Sequence, residues 1–165
     1  MKLKTPRESM VEMTELVLPN DANMLGNLLG GKLMHLVDIA GAIAAQRHSN
    51  KIVVTAAIDC VDFKYPVKAG EIIILKAKVT WVGRTSMEVA VEVFSEDYHT
   101  NERKFTNKAY LTYVAVDSNG KPVEVCGLLP ETGDEKREYE AAALRRKERL
   151  KHRKADDCSC SRPTD

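Results

Sequence analysis

The sequence has few of the features that mark secreted, membrane-spanning or strongly nucleic-acid-binding chains. Its 165 residues carry 25 lysines and arginines against 24 aspartates and glutamates, a formal net charge of +1, which excludes binding to nucleic acid through bulk positive charge. No apolar run approaches the roughly 18 residues needed to cross a bilayer, and residues 1–10 lack the apolar core of a signal peptide. We therefore expect a cytoplasmic protein that binds neither nucleic acid nor membrane.

The four cysteines form neither a disulfide framework nor the paired motif of a structural zinc site. Cys60 and Cys126 stand alone, while Cys158 and Cys160 flank a single serine near the end of the chain. We interpret all four as reduced thiols.

One segment has the composition of a long buried helix. A glycine- and asparagine-rich loop over residues 21–31 precedes a proline-free stretch, from Lys32 to about His48, that is rich in Ala, Leu, Ile and Met. Its polar line consists of Lys32, His35 and Gln46, so this helix is apolar almost all round. We predict that it lies buried in the core.

Strand-forming residues dominate the chain on both sides of this helix. The predicted strands are Val11 to Leu18, Ile52 to Tyr65, Ile72 to Val82, Ser86 to Phe94 and Phe105 to Val116. The turn at Gly83 joins two alternating segments and indicates a hairpin. This order predicts an α+β fold with an antiparallel sheet wrapped around one long helix, and it excludes a Rossmann-type fold because no helices stand between the strands.

The composition changes after Pro130 to Glu, Lys, Arg and Ala. We predict a main domain over residues 1–130, a charged C-terminal helix over 131–154 and a disordered tail over 155–165. Residues 145–154 hold seven basic residues and one acidic residue, a net charge of +6. We interpret the segment as a solvated helix that frays, with binding of an anionic partner as the alternative.

Asp38 is the most unusual residue of the predicted helix, because the two residues on each side of it are apolar. Burying an unpaired carboxylate is strongly unfavourable, so Asp38 must be paired, hydrogen-bonded or facing a water-filled cleft. Spacing alone leaves two interpretations open: a catalytic carboxylate, or an aspartate that only hydrogen-bonds nearby backbone.

Gly30 and Gly31 stand just before the helix, where exposed N–H groups can bind anions or stabilise an oxyanion. Paired glycines are also ordinary loop hinges. Roughly 10 Å of helix separates Gly31 from Asp38, at 1.5 Å per residue. Either the donor lies deeper in the first turn, or another chain brings a donor to the carboxylate.

Several motifs occur in an order that resembles one family. They are N-D-A-N at 20–23, the Gly-Gly pair, the helical Asp38, D-F-x-x-P-V-x-x-G at 62–70 and V-G-R-T-S at 82–86. From about Met10 to Val116 the chain resembles the acyl-CoA thioesterases of the hot-dog fold, in the acyl-CoA hydrolase branch. The resemblance does not extend beyond about Pro130.

The resemblance implies hydrolysis of acyl-CoA to a free acid and coenzyme A, without a metal and without a cofactor other than the coenzyme A of the substrate. It implies that Asp38 acts as general base or nucleophile and that Asn23 orients water or the thioester carbonyl across a subunit interface. Asn27 is a competitor for the asparagine role. We interpret His35 and His48 as ordinary polar-face histidines.

The resemblance also implies a coenzyme A contact at the turn formed by Gly83, Arg84, Thr85 and Ser86. A glycine lets the backbone approach, hydroxyls and N–H groups meet phosphate oxygens, and Arg84 adds a charge-assisted hydrogen bond. The alternative is a plain hairpin turn with a solvated Arg84. Gly31 is a further substrate-binding candidate, and the apolar residues available for an acyl pocket are Met24, Leu25, Leu28, Leu29 and Phe63.

The family's assembly implies a homo-oligomer, a dimer with a continuous sheet that builds up to a hexamer. One alternative is a non-catalytic acyl-CoA sensor of the same fold. Another is a hot-dog dehydratase or hydratase, which uses a histidine with an acidic residue. The presence of both Asp38 and Asn23, with no histidine in their places, favours the thioesterase.

Overall fold

The computed structural model describes residues 3–59, 61 and 64–159, with side chains as far as Lys151. Its helices and strands, in chain order, are β1 (Leu3–Lys4), α1 (Pro6–Ser9), β2 (Val11–Leu16), a 3-10 turn (Pro19–Asp21), α2 (Gly30–Ser49), β3 (Ile52–Asp59), β4 (Ile72–Val82), β5 (Ser86–Glu96), β6 (Arg103–Val116), β7 (Gly127–Leu128) and α3 (Gly133–Ser159). Cys60, Phe63 and residues 160–165 lie outside the described residues, as does the side chain of Cys158.

Five strands form one antiparallel sheet in the order β2-β4-β5-β6-β3. β4 and β5 form the predicted hairpin, with Val82 opposite Met87 on either side of the turn. β3 pairs with β6 and is an edge strand among the described residues. The alternation of apolar and polar residues in β4 and β5 places one apolar face on this sheet.

α2 packs against that apolar face, and together they form the core. The fully buried strand residues that face it are Ile73, Leu75, Ala77, Val79, Met87, Val89, Val91, Val93, Ala109, Leu111, Tyr113 and Ala115. The predicted α+β architecture, an antiparallel sheet wrapped around one long helix, is confirmed. Burial of α2 is incomplete in the single chain, because Ile39 stays 37% exposed.

Several predicted boundaries differ from the structure, among them those of α2 and β3. α2 begins at Gly30 instead of Lys32 and ends where Asn50 turns into the left-handed region, at φ 53°, with its N–H bonded to the Gln46 carbonyl. β3 ends at Asp59, well before Tyr65. Further along, the chain pairs with the loop before α2 instead of the sheet, because the N–H of Leu28 donates to the Val67 carbonyl.

The prediction that the C-terminal helix is solvated is wrong, because the helix packs on the sheet. α3 lies on the face of the sheet opposite α2, where Glu138 binds both Lys78 and Lys108. Arg145 binds Glu88, which is 1% exposed. α3 also continues to Ser159, so residues 155–159 are helical where a disordered tail was predicted. No helix among the described residues is long and apolar enough to cross a membrane.

Candidate active site

Asp38 is half-buried in the middle of α2, with one carboxylate oxygen held by hydroxyl groups. Its Oδ1 accepts a hydrogen bond from the Thr55 hydroxyl at 2.7 Å. The Tyr113 hydroxyl lies 3.1 Å from the same oxygen and 2.9 Å from the Asp38 backbone carbonyl. Within the described chain Oδ2 has no partner. The carboxylate is therefore oriented through one oxygen and presents the other.

The sheet register assembles these groups from distant parts of the sequence. Thr55 on β3 is directly opposite Tyr113 on β6, and both reach α2 at the level of Asp38. Burial and the neighbouring Asp38 carboxylate raise the pKa of Tyr113 well above its usual value. Tyr113 therefore remains a protonated donor at neutral pH. Neither Thr55 nor Tyr113 was singled out from the sequence.

The local loop fixes the orientation of the Asn23 side chain. Its Oδ1 accepts hydrogen bonds from the N–H groups of Leu25 at 2.9 Å and Asn27 at 3.1 Å. Because both donors require an oxygen acceptor, the amide Nδ2 must be on the side away from the loop. Nδ2 has no partner among the described residues. Asn23 thus offers two N–H donors to an external acceptor.

A cavity of about 320 Å³ lies next to Asn23. Its lining residues are Asn23, Asn27, Leu28, Gly30, Leu33, Tyr65, Pro66 and Val67. The described residues that line this cavity do not include Asp38, so a single chain brings Asn23 and Asn27 to one cavity and leaves the catalytic candidate Asp38 outside it. Of the apolar residues proposed for an acyl pocket, Leu28 lines the cavity, whereas Met24 and Leu25 are fully or mostly exposed.

The predicted coenzyme A turn is anchored by its backbone and carries a free cation. The carbonyls of Arg84 and Thr85 accept hydrogen bonds from the N–H groups of Val125 and Ala115. The Arg84 side chain is exposed and makes no ion pair or hydrogen bond within the described residues. Gly31, at the first turn of α2, faces open space, because a Cβ added there would meet nothing within 4 Å.

The two histidines of α2 have different environments, and the interpretation as polar-face residues holds for His35 but not for His48. His35 is exposed. His48 is fully buried, its Nε2 donates to the Cys126 carbonyl at 3.0 Å, and its Nδ1 has no partner. Burial lowers the pKa of His48, so it is a neutral packing residue. In residues 3–59, 61 and 64–151, no group of three or more His, Cys, Asp or Glu side chains is placed to hold a metal ion.

Comparison with known proteins assigns this chain to a family. The thioesterase superfamily model matches residues 25–101. An uncharacterized acyl-CoA thioester hydrolase of Bacillus subtilis is 45% identical over 90% of this chain and 88% of its own length. The chain belongs to the thioesterase superfamily. The resemblance given by the sequence motifs is confirmed, and the chain is a thioester hydrolase.

Solved structures of similar proteins agree along nearly the whole chain. The acyl-CoA hydrolase of Staphylococcus aureus, solved with butyryl coenzyme A, coenzyme A and coenzyme A disulfide, is 37% identical with a TM-score of 0.89, over 96% of each chain. Alanine variants of that enzyme at an aspartate, a threonine and an asparagine have also been solved. A hexameric acyl-CoA thioesterase is 42% identical with a TM-score of 0.89, over 98% of this chain and all of its own.

Proposed function

We propose that this protein hydrolyses acyl-CoA thioesters, with Asp38 activating water in an active site shared between two subunits. The observation that carries the proposal is the oriented carboxylate, bound through Oδ1 by Thr55 and left open at Oδ2. Asp38 takes a proton from water as the water oxygen attacks the thioester carbonyl carbon. The C–S bond then breaks, releasing the free acid and coenzyme A. Asp38 acting as a nucleophile, through a mixed anhydride, is the alternative route.

Asn23 supplies the donor that this reaction needs. Its Nδ2 is turned away from its own loop because two backbone N–H groups occupy Oδ1. An amide donor cannot accept the proton of water, so its role is to bind the thioester carbonyl as negative charge develops on that oxygen. Asn27 lines the same cavity and is the competing donor.

The variants of the S. aureus enzyme support these roles. The asparagine, aspartate and threonine replaced there are separated by 15 and 17 residues. Asn23, Asp38 and Thr55 have the same separations and residue types here. In our proposal Thr55 is a positioning residue that acts through Asp38.

Assembly through the edge strand would complete the site. β3 is a sheet edge on which Ile52, Val54 and Ile58 are between 42% and 57% exposed. A second copy pairing there covers this apolar strand and the exposed side of α2 around Ile39, as dimers with two-fold symmetry do. The Asp38 of one subunit then meets the Asn23 cavity of the other. A hexamer, as described for one similar enzyme, would contain three such dimers.

The predicted coenzyme A contact fits this arrangement. Ser86 is opposite Val114, next to Tyr113 on β6, so the turn lies at the same level of the sheet as Asp38. The unpaired Arg84 is then available to the diphosphate while the acyl thioester reaches the carboxylate. Gly31, at the exposed start of α2, leaves room for the substrate.

A thiol-release assay with acyl-CoA substrates of increasing chain length tests the proposal. We expect hydrolysis by the wild type and a loss of kcat of about 100-fold or more in Asp38→Asn, which keeps the shape and loses the base. Asp97→Asn, in a distant loop, is the control. If the protein binds coenzyme A tightly but hydrolyses none of the substrates, the proposal is wrong and the non-catalytic acyl-CoA sensor is favoured.

A further inference from the structure

A second cleft lies on the outer face of the sheet, where α3 passes beside the end of β4. Its volume is about 400 Å³, and it is lined by Trp81, Ala143, Arg146, Lys147, Leu150 and Lys151. The α3 residues recur at the spacing of one helical face, so a single face of α3 forms one wall. We call this site the Trp81 cleft.

The cations of the Trp81 cleft are not neutralised. Arg146, Lys147 and Lys151 form no ion pair within the described residues. By contrast, the adjacent Arg145 and Arg149 point to the sheet and bind acidic partners. The lining residues include no carboxylate. Three uncompensated positive charges around one concavity favour an anionic ligand.

Two planar groups in the cleft favour an anion that carries a ring. The Arg146 guanidinium lies over the Trp81 ring, 4.9 Å from its centroid. Nucleobases stack on indole rings and on guanidinium planes. Lys147 and Lys151 are exposed ammonium groups, which bind phosphates as point charges. Inorganic phosphate or a fatty acid would use only one of these two features, whereas a phosphorylated nucleoside uses both.

The cleft is next to the turn that we assign to coenzyme A. The Trp81 ring packs against Gly83, where an added Cβ would come within 2.6 Å of it. Arg84 follows directly and is unpaired. The cationic surface therefore continues from the Trp81 cleft to the turn, and the turn lies at the level of Asp38 in the sheet register.

We propose that the Trp81 cleft binds the phosphorylated adenosine end of coenzyme A. The inference rests on the proposed function and adds to it a nucleotide site built by α3, outside the motifs that carry the family resemblance. A free phosphorylated nucleotide presents the same chemistry, so the experiment must separate the two sources.

The sequence contains a single tryptophan, so fluorescence reports directly on the cleft. We expect coenzyme A and adenosine 3′,5′-bisphosphate to quench Trp81 emission with saturation, because the base stacks there. Pantetheine, which lacks the nucleotide, should not quench. Coenzyme A that binds by calorimetry without changing Trp81 emission would overturn the proposal, whether or not the protein hydrolyses thioesters.

Charge removal within the cleft supplies the matched variants. Lys147→Gln with Lys151→Gln should weaken adenosine 3′,5′-bisphosphate binding by about five- to tenfold, strongest at low salt. Lys121→Gln with Lys136→Gln removes the same charge from exposed lysines outside the cleft and should leave binding unchanged. Equal weakening in both pairs would indicate a general charge effect and overturn the site.

Kinetics separate coenzyme A from a free nucleotide. The cleft double variant should raise KM for butyryl-CoA by about five- to tenfold with kcat within twofold, and leave KM for butyryl-pantetheine unchanged. Adenosine 3′,5′-bisphosphate that saturates the cleft without competing with butyryl-CoA would overturn the assignment in favour of a separate nucleotide site. The assignment to coenzyme A would also be overturned, in favour of a lipid surface, if the protein binds anionic vesicles and the cleft variant abolishes that binding without changing coenzyme A affinity.

Discussion

The Tyr113 hydroxyl reaches Asp38 because residue 41 is glycine. A Cβ built on Gly41 would be 2.5 Å from the Tyr113 oxygen and 3.1 Å from two carbons of its ring. The helix thus gives up the higher helix propensity of alanine, worth about 1 kcal/mol, and gains space for a hydroxyl next to the carboxylate.

Removing that hydroxyl should affect chemistry more than substrate binding. In Tyr113→Phe the ring still fills the core, but the Asp38 carboxylate keeps only Thr55 as a donor. We expect kcat to fall by about tenfold, the cost of one hydrogen bond to a charged group, with KM within twofold. Tyr110→Phe, on the opposite face of β6, is the control and should change neither quantity.

Gly41→Ala tests the same relationship from the helix. The added methyl group should displace Tyr113 and lower the free energy of unfolding by about 1–3 kcal/mol, as overpacking does, together with kcat. Combining it with Tyr113→Phe removes the 2.5 Å contact and leaves the two 3.1 Å contacts with the ring, so stability should return in part while activity should not. If the Gly41→Ala variant unfolds at the same denaturant concentration as the wild type, the space around residue 41 can hold a methyl group and the proposed relationship is wrong.

The buried pair between Glu88 and Arg145 makes α3 part of the fold. Glu88 is 1% exposed and is bound by Arg145 and by the Thr80 hydroxyl. Arg145→Met leaves this carboxylate without its cation, and we expect a loss of about 3 kcal/mol in the free energy of unfolding. Arg137→Met breaks an exposed pair with Asp134 on the same helix and should cost less than about 0.5 kcal/mol. If urea unfolding shows equal losses of stability in the two variants, α3 is a solvated helix and not part of the folded core.

His48 gives the stability a specific dependence on pH. Burial lowers its pKa in the fold below the value of 6.5, with Lys4 also lowering it and the Cys126 carbonyl and Glu8 opposing. The unfolded chain therefore binds a proton first as the pH falls below about 6.5, and stability is lost from there down through the lowered pKa of the fold. His48→Gln should show a smaller drop in Tm between about pH 7.5 and 5 than the wild type. His35→Gln, at an exposed site, should keep the full drop.

Features formed by residues close together in the sequence could be predicted, whereas contacts between residues far apart in the sequence could not. Periodicity over neighbouring residues identifies α2 and the β4–β5 hairpin, and the apolar surroundings of Asp38 single it out. Thr55 could not be found this way, because its contact with Asp38 depends on β3 pairing with β6 in one register. The wrong prediction that α3 is a solvated helix has the same origin. Arg145 binds Glu88, which is 57 residues away in the sequence, and the sequence near Arg145 gives no sign of this partner.

The last prediction concerns the shared site. If Asn23 and Asp38 of one site come from different subunits, Asn23→Ala and Asp38→Ala are each inactive, yet a mixed dimer carries one site with both residues intact. With random exchange half of the dimers are mixed, and each has one intact site of two, so about a quarter of wild-type activity is the ceiling.

The two variants should be unfolded together and refolded, with each refolded alone as a control. Recovery no greater than in the controls, despite mixed dimers demonstrated by mass spectrometry, would place both residues in one chain. Recovery near the ceiling would make the dimer the catalytic unit, which agrees with an Asn23 cavity that its own Asp38 does not line.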